Sequence, residues 1–315
     1  MSKITIIGAG SVGSTIAYTL AVTGTASEIV MLDINEDKAL GEAMDIRQGT
    51  PFYSAVNIYA GDYRSAAKSD IVIITSGIAR KPGQTRLDLA QINVNVTKDI
   101  IPKITKYAPD AIYIVVSNPV DILTYVFTKY SGIPETHVIG SGTILDTARL
   151  RSRLSDYFAL SQNNIHAYIF GEHGDTAFVP WSISNLPSLR MNEYYDGAIK
   201  DNKLRPKLDR EEIEKYIKTS GGKIIERKGA TYYAVAVSVC HICKSIFSSI
   251  ETAMTVSTMM HGEYDGITDV CLSTLNLVGK GGVRGKIISP LTAEEIALLH
   301  KSADSLKNVI ASIDI

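Results

Sequence analysis

The chain has 315 residues, enough for one large α/β unit or two domains that each bury a core. Its 32 Lys and Arg residues are balanced by 33 Asp and Glu residues, so it lacks the positive excess that nucleic-acid binding requires. With 45% hydrophobic residues and three cysteines (Cys240, Cys243 and Cys271), it resembles neither a disordered chain nor a disulfide scaffold, which favours a reducing compartment, the cytoplasm.

Short β-branched runs alternate with helical patterns through the first half of the chain. Strands are predicted at 3–7, 28–33, 56–60, 70–75, 111–116 and 137–139. Helices are predicted at 11–24, 36–48, 86–107 and 119–131. Because the strands alternate with helices and are apolar on both faces, they predict an α/β fold with a doubly wound parallel sheet. The uncharged residues 4–27 change from strand to helix spacing, which argues against a signal peptide or a membrane span.

The second half reads as α+β. Its predicted elements are a helix at 143–158, a strand at 164–169, helices at 209–227 and 230–249, antiparallel strands between 254 and 289, and a helix after Pro290. This change of pattern predicts a domain boundary near Gly140–Gly142. The expected domains are 1–141 and 142–315.

A glycine-rich turn joins the first strand to the first helix. Gly8 permits a tight turn, Gly10 lets the backbone approach a pyrophosphate, and Gly13 lets the helix pack on the strand. Asp33 ends the second strand, where a carboxylate accepts hydrogen bonds from a ribose and repels the 2′-phosphate of NADP. The pattern predicts a dinucleotide-binding domain that prefers NAD.

Two further segments carry groups suited to chemistry. The basic turn 80–86 follows a strand at the edge of the sheet where ligands bind, and is a candidate lid. Asp146 and Arg149 lie on one face of a helix, and His173 stands between glycines after a strand. If Asp146 accepts the Nδ1 proton of His173, the two form an acid–base pair, and Arg149 is free to bind a substrate carboxylate.

A Cys-x-x-Cys sequence, Cys240 to Cys243, has the spacing of a zinc or redox motif. It lies inside an apolar helical run, and no second pair completes four ligands. We therefore predict no metal site and interpret both thiols as core residues. His137, His241, His261 and His300 do not stand between two glycines as His173 does, and they lack suitably spaced carboxylates, so they are interpreted as structural.

Several motifs, in this order and spacing, resemble one enzyme family. They are GAGSVG at 8–13, Asp33, ARKPGQTRLDL at 79–89, VVSNPVD at 115–121, IGSGTILDTARLR at 139–151, HAYIFGEHGD at 166–175 and KGATYYAVA at 228–236. They are similar to those of the NAD-dependent L-2-hydroxy acid dehydrogenases, the L-lactate and malate dehydrogenase family. The similarity covers essentially the whole chain.

The resemblance implies NAD as cofactor, a small 2-oxo or 2-hydroxy acid as substrate, and a role for each matching residue. His173 resembles the acid–base residue and Asp146 its partner. Arg149 resembles the clamp on the substrate carboxylate, and Arg86 the group that polarises the substrate carbonyl when a lid closes. Asn118 matches a residue near the nicotinamide and the substrate. Further cofactor contacts are implied at Val12, Gly77, Ile78 and Ser141. Because His173, Asp146, Arg149 and Arg86 are all present, a binding module that has lost its chemistry is disfavoured.

The substrate-specifying positions disagree with one another. Arg80 occupies a position where the malate enzymes have Arg and most bacterial lactate enzymes have Gln. Thr231, Glu172 and the segment 178–182 are of the lactate type. The balance predicts a bacterial-type L-lactate dehydrogenase, with malate dehydrogenase as the alternative. An unpaired Arg80 that faces the methyl group of pyruvate is unfavourable. We therefore expect a nearby carboxylate, or the geometry of Lys81 to Gln84, to turn Arg80 away from that methyl group.

The resemblance extends to regulation and assembly. Arg151 and His166 match residues that bind fructose 1,6-bisphosphate across a subunit interface in some bacterial members, and the family implies a homotetramer or a dimer. Together with Arg80, Lys81, Arg86 and Arg149, Arg151 is also expected to line a cationic pocket that attracts the anionic substrate and cofactor.

Overall fold

The computed structural model of the chain describes residues 2–53, 55–78, 85–187, 189–191, 193 and 208–315. In the first half the strands are β1 (Lys3–Ile7), β2 (Glu28–Leu32), β3 (Asn57–Ala60), β4 (Ile71–Ile74), β5 (Ile112–Val115) and β6 (Val138–Gly140). The helices are α1 (Ser11–Val22), α2 (Glu36–Gln48), α3 (Arg86–Thr105) and α4 (Val120–Tyr130). Every strand and helix predicted for this half is present, with bounds that differ by no more than about two residues, as is usual for element ends.

These six strands form a parallel sheet in the order β6-β5-β4-β1-β2-β3. All four residues of β4 and all four of β5 are buried, which is the burial that helices on both faces of a sheet produce. The order reverses at β1, which pairs with β2 on one side and with β4 on the other. In such sheets, ligands bind at the carboxyl ends of the strands beside this reversal. The predicted doubly wound fold is confirmed.

The second half contributes α5 (Ile144–Phe158), β7 (Asn185–Leu186), β8 (Leu189–Arg190), α6 (Arg210–Lys228), α7 (Tyr233–Phe247), β9 (Thr252–His261), β10 (Thr268–Gly279), β11 (Gly282–Lys286) and α8 (Ala293–Ala311). The predicted antiparallel strands are present as β9, β10 and β11. They continue the sheet of the first half, because β9 pairs with β6 at Ser257 and Gly140. The result is a nine-stranded sheet in the order β11-β10-β9-β6-β5-β4-β1-β2-β3.

The strand predicted at 164–169 is wrong. Its alternating buried residues resemble a strand, but this segment makes only the isolated bridge between His166 and Asn185. The side chains of Thr143, the N-cap of α5, and of Thr147 within α5 bond to the backbone groups that a neighbouring strand would need. The Thr143 hydroxyl donates to the Ile169 carbonyl oxygen at 2.5 Å, and the Ile169 N–H donates to the Thr147 hydroxyl at 2.9 Å.

The core crosses from one half to the other. Ile16 and Leu20 of α1 belong to the same buried cluster as Val239 and Cys243 of α7. This cluster buries both thiols of the Cys-x-x-Cys sequence, and all three cysteines are free. Within the described ranges, we find no helix with the length and hydropathy that a membrane crossing demands.

Candidate active site

The turn between β1 and α1 has the backbone geometry that its glycines predict. Gly8 has φ +107°, a conformation that side-chain-bearing residues rarely adopt. A Cβ atom on Gly13 would lie 1.8 Å from the Gly8 carbonyl oxygen, so only glycine fits there. A Cβ atom on Gly10 would meet nothing within 4 Å, which leaves the backbone open to a ligand at the N-terminus of α1. The residues present therefore fit a dinucleotide.

Two alanine substitutions should separate the roles of these glycines. G13A is expected to lower the free energy of unfolding by about 1–3 kcal/mol, because the new methyl group forces the turn apart. G10A should leave thermal unfolding nearly unchanged but weaken NADH binding, because its methyl group would occupy the open approach to the backbone. Thermal unfolding and NADH fluorescence titration measure the two effects. Equal stability of the two variants would contradict this assignment.

Asp33 is tied to the same turn. Its Oδ2 accepts a hydrogen bond from the Ala9 N–H at 2.6 Å, and its Oδ1 accepts one from the Asn35 N–H at 2.9 Å. The carboxylate predicted to bind a ribose therefore also holds the glycine turn against the end of β2. This second contact was not predicted.

The predicted residues at the nicotinamide end lie after three neighbouring strands. Gly77 and Ile78 follow β4, Asn118 follows β5 and Ser141 follows β6. A residue that was not predicted, Asn93, connects two of these segments. Its side chain accepts a hydrogen bond from the Ile78 N–H at 2.9 Å and donates one to the Asn118 carbonyl oxygen at 2.7 Å. The feature that could have indicated this role is an amide side chain on the buried face of α3.

Asp146, Arg149 and His173 come together beside these segments. His173 Nδ1 lies 2.6 Å from Asp146 Oδ2, and Arg149 Nη1 donates to Asp146 Oδ1 at 2.8 Å. The side chains of Asp146 and Arg149 are only 10% and 16% exposed, so this is a buried pair and not an ordinary surface contact. Since a carboxylate only accepts hydrogen bonds, Nδ1 carries the proton and Nε2 is left to exchange a proton with a ligand.

Asp146 and His173 each shift the pKa of the other. Burial by itself lowers the pKa of His173, but the charge and hydrogen bond of Asp146 outweigh it, so that the pKa is raised. Burial works in the opposite direction on Asp146, where His173 and Arg149 prevail and hold the pKa of the carboxyl below its usual value. The arrangement therefore favours an imidazolium beside a carboxylate, as proton donation requires.

A second carboxylate, Asp121, lies behind His173. It is buried in the first turn of α4, where its Oδ2 accepts a hydrogen bond from the backbone N–H of His173 at 2.7 Å. Its Oδ1 accepts one from the Ser257 hydroxyl at 2.5 Å. Burial raises the pKa of Asp121 to about 6. No role was predicted for Asp121, although a charged residue at the start of an otherwise apolar helix was a visible signal.

His173 and Arg149 line a cavity of about 270 Å³. Asn118 and Thr231 also line it, as the substrate assignments require. Gly221 and Gly222 of α6 lie on the cavity side, where a Cβ atom on Gly221 would come within 3.7 Å of Arg149 Nη2. Each interior glycine costs a helix about 1 kcal/mol relative to alanine. Gly221 therefore keeps the wall open beside Arg149 at the expense of helix stability, whereas a Cβ atom on Gly222 would meet nothing within 4 Å.

Arg86, at the start of α3, bonds to the segment that carries His173. Its Nη1 donates to Asp175 Oδ2 at 2.5 Å, and the two side chains are 71% and 72% exposed. This hydrogen bond holds the pKa of Asp175 below its usual value. Arg86 does not itself line the cavity, but it is paired with a carboxylate, that of Asp175, which does. Arg80 and Lys81, predicted in the preceding loop, lie outside the described residues.

Arg151 does not line the cavity, which corrects the predicted cationic pocket. Residues two apart on a helix point in different directions, so Arg151 faces away from Arg149. Its Nε donates to the Ala167 carbonyl oxygen at 3.1 Å, and its guanidinium lies 5.0 Å from the centre of the Tyr168 ring. It therefore lies beside the exposed residue His166, at a place separate from the acid–base pair.

Two histidine interpretations also need correction. No carboxylate neighbour was expected for His300, but its Nε2 lies 3.7 Å from Asp265 Oδ2. His261 was expected to lack a carboxylate neighbour, but its Nε2 lies 2.6 Å from Glu135 Oε2. The two residues are 126 positions apart, so sequence spacing could not reveal the contact. His261 does not line the cavity with His173, and the contact is half exposed to solvent.

The parallel sheet carries a dinucleotide-binding turn, and an acid–base pair lies beside an arginine at the same edge. This is the architecture of an NAD-dependent 2-hydroxy acid dehydrogenase. Comparison with known proteins agrees. Residues 2–140 match the family model described as lactate/malate dehydrogenase, NAD binding domain, and residues 143–314 match its alpha/beta C-terminal domain. The chain belongs to the lactate/malate dehydrogenase family.

Individual relatives are similar over their full length. The chain is 48% identical to an L-lactate dehydrogenase of Acetivibrio thermocellus, over 100% of this chain and 98% of that protein. It is 49% identical to one of Thermoanaerobacter sp., over 100% of both. Among solved structures, the minor L-lactate dehydrogenase from Enterococcus mundtii has a TM-score of 0.93 and 36% identity, covering 100% of this chain and 99% of that one.

Proposed function

We propose that this protein catalyses the reversible reduction of pyruvate to L-lactate with NADH. The observation that carries the proposal is the contact of His173 with Asp146, and of Asp146 with Arg149, at the wall of one cavity. The names of the relatives support lactate as the product. NADH, when bound, supplies the hydride. The residues of the chain supply the proton and bind the substrate.

Each residue then has a defined task. The Arg149 guanidinium binds the carboxylate of pyruvate, and its bond to Asp146 fixes its orientation. Protonated His173 donates a proton from Nε2 to the carbonyl oxygen while Asp146 stabilises the imidazolium. Arg86 releases Asp175, binds the substrate instead and polarises the same carbonyl. In lactate oxidation each step runs in reverse, with His173 as the base.

The alternative substrate is oxaloacetate, which Arg80 favours. The names of the relatives described above argue against it, since these relatives are L-lactate dehydrogenases. Among the described residues that line the cavity, the carboxylates of Asp146, Asp175 and Glu214 are balanced by Arg149, Lys218 and protonated His173. This described lining therefore has no excess positive charge for a second substrate carboxylate. The test is steady-state kinetics on both acids, and a kcat/KM for oxaloacetate about tenfold or more above that for pyruvate would overturn the lactate assignment.

Asp33 should set the choice between NADH and NADPH. D33N keeps the shape of the side chain but removes the charge that a 2′-phosphate would face, together with one of the two backbone hydrogen bonds, because an amide has a single acceptor oxygen. We expect the NADH-to-NADPH ratio of kcat/KM to fall about 10-fold to 100-fold, mainly through better use of NADPH. D37N, which removes the same charge from the first turn of α2, is the control and should leave the ratio unchanged. An unchanged ratio in D33N would remove Asp33 from cofactor selection.

We also propose that fructose 1,6-bisphosphate activates the enzyme through Arg151 and His166, and that the active form is a homotetramer. The support is the neighbourhood of these two residues, since Arg151 bonds to the residue after His166. We expect the bisphosphate to lower the apparent KM for pyruvate, and R151Q to abolish this response without loss of basal turnover. Saturation curves with the bisphosphate or inorganic phosphate test the effect, and light scattering tests the assembly. Identical curves would refute activation.

The division into a cofactor domain, 1–141, and a substrate domain, 142–315, is likewise our proposal. Its support is chemical. The glycine turn and Asp33 lie before the boundary, whereas Asp146, Arg149 and His173 lie after it. Asn118, which follows β5 in the first set of residues, lines the cavity with Asp146, Arg149 and His173 of the second.

A further inference from the structure

Asp121 has no place in the reaction proposed above, yet it is the carboxylate that holds the backbone of His173. It does not line the cavity, and its two oxygens are bonded to the His173 N–H and to the Ser257 hydroxyl. A buried carboxylate is unfavourable unless its charge is used or fully satisfied. A serine or asparagine could bond to the same N–H without that penalty, so the charge itself requires an explanation.

The charged groups around His173 come from three elements. Asp146 and Arg149 approach from α5, Asp121 from α4, and Glu172 precedes the histidine in its own segment. Asp146 shares its charge between the imidazole and Arg149. Asp121 bonds to no cationic side chain among the described residues, so its full negative charge acts on the imidazole.

The surroundings of Asp121 preserve this charge. The Ser257 hydroxyl of β9 donates to it and favours the ionised form, and the first turn of α4 does the same through the helix dipole. The like charge of Glu172 lies close enough to oppose ionisation. The buried thiol of Cys271 on β10 also faces Asp121, but it is neutral because burial raises its pKa. With the pKa of Asp121 raised to about 6, the group is still ionised at neutral pH.

We propose that Asp121 is a positioning residue that supports the protonated state of His173, acting through its charge from behind the backbone and separately from Asp146. Ser257 assists by keeping Asp121 ionised. The acid–base histidine is therefore held between two carboxylates, one bonded to its ring and one bonded to its main chain. This inference rests on the proposed role of His173, but its main readout does not require turnover.

The test compares the pKa of His173 in the wild type, D121N and S257A, measured by NMR of histidine-labelled full-length protein. The spectrum of H173N identifies the resonance. The amide introduced by D121N can still accept from the His173 N–H and donate to Ser257, so it changes the charge and keeps the bonds. D156N removes an equal charge from the exposed side of α5 and serves as the control.

We expect the pKa of His173 to fall by about 0.5 to 1 unit in D121N, by less in S257A, and not at all in D156N. The alkaline limb of kcat/KM for pyruvate should move by the same amount. A uniform loss of activity with the His173 pKa unchanged would make Asp121 merely structural and overturn the proposal. If D121N does not fold, an unchanged pKa in S257A overturns it. Failure of the proposed function would appear separately, as full activity in H173N.

Discussion

H173N is expected to lower kcat for pyruvate reduction by about 10³-fold or more, because the amide cannot donate the proton that the imidazolium donates. Binding of NADH should change by less than about twofold, since the glycine turn and Asp33 are untouched. Asparagine can still hydrogen-bond to Asp146, so the cavity should keep its shape. Stopped-flow reduction of pyruvate and NADH fluorescence titration measure the two quantities.

H261N is a matched control for this result. His261 also lies 2.6 Å from a carboxylate, that of Glu135, but at a place that does not line the cavity. It should retain wild-type turnover. Substantial activity in H173N, or an equal loss in H261N, would show that the acid–base assignment is wrong.

The raised pKa of His173 fixes the direction of two pH effects. Pyruvate reduction requires the imidazolium, so kcat/KM should be level below the raised value and decline above it. Because the pKa is higher in the folded state, the pair with Asp146 contributes stability at low pH. That contribution is fully present below the pKa of an unfolded histidine and is lost as pH rises through the folded value.

R149K is expected to have the second largest effect. It keeps the positive charge but loses the planar fork that binds a carboxylate through two hydrogen bonds. We expect kcat/KM for pyruvate to fall about 10²-fold or more, chiefly through a higher KM. The bond from Arg149 to Asp146 adds a loss in kcat, since Asp146 orients the histidine.

R153K, one turn further along α5, is the control for R149K. Arg153 donates to Glu212 at 2.9 Å at a more exposed position, and its replacement should leave pyruvate kinetics within about twofold of wild type. A fall in kcat with no change in KM for R149K would mean that Arg149 does not hold the substrate.

Local patterns in the sequence were sufficient for the first half of the fold. The central parallel strands β4 and β5 are short runs buried on both faces, and the glycine turn is recognisable because Gly13 tolerates no side chain. The acid–base pair was also accessible, since the family motifs contain both Asp146 and His173. Local pattern failed at 164–169, where Thr143 and Thr147 take the place of a neighbouring strand.

The support of the site could not be predicted because it depends on contacts between distant parts of the chain. Ser257 meets Asp121 across 136 positions, and only the return of β9 to the edge of β6 brings them together. Asn93 joins two loops that follow different strands. By contrast, the direction in which Arg151 points follows from helix geometry. Its separation from Arg149 could therefore have been predicted from the sequence.

The single bridge between Gly140 and Ser257 has a consequence for how the molecule unfolds. It joins the parallel and antiparallel strands into one sheet, and α1 shares its buried face with α7. Residues 2–140 alone would leave β6 as an open edge and expose the face of α1. The boundary between the two family models is therefore not a boundary between independently stable cores, and we expect both parts to melt together in one cooperative calorimetric transition.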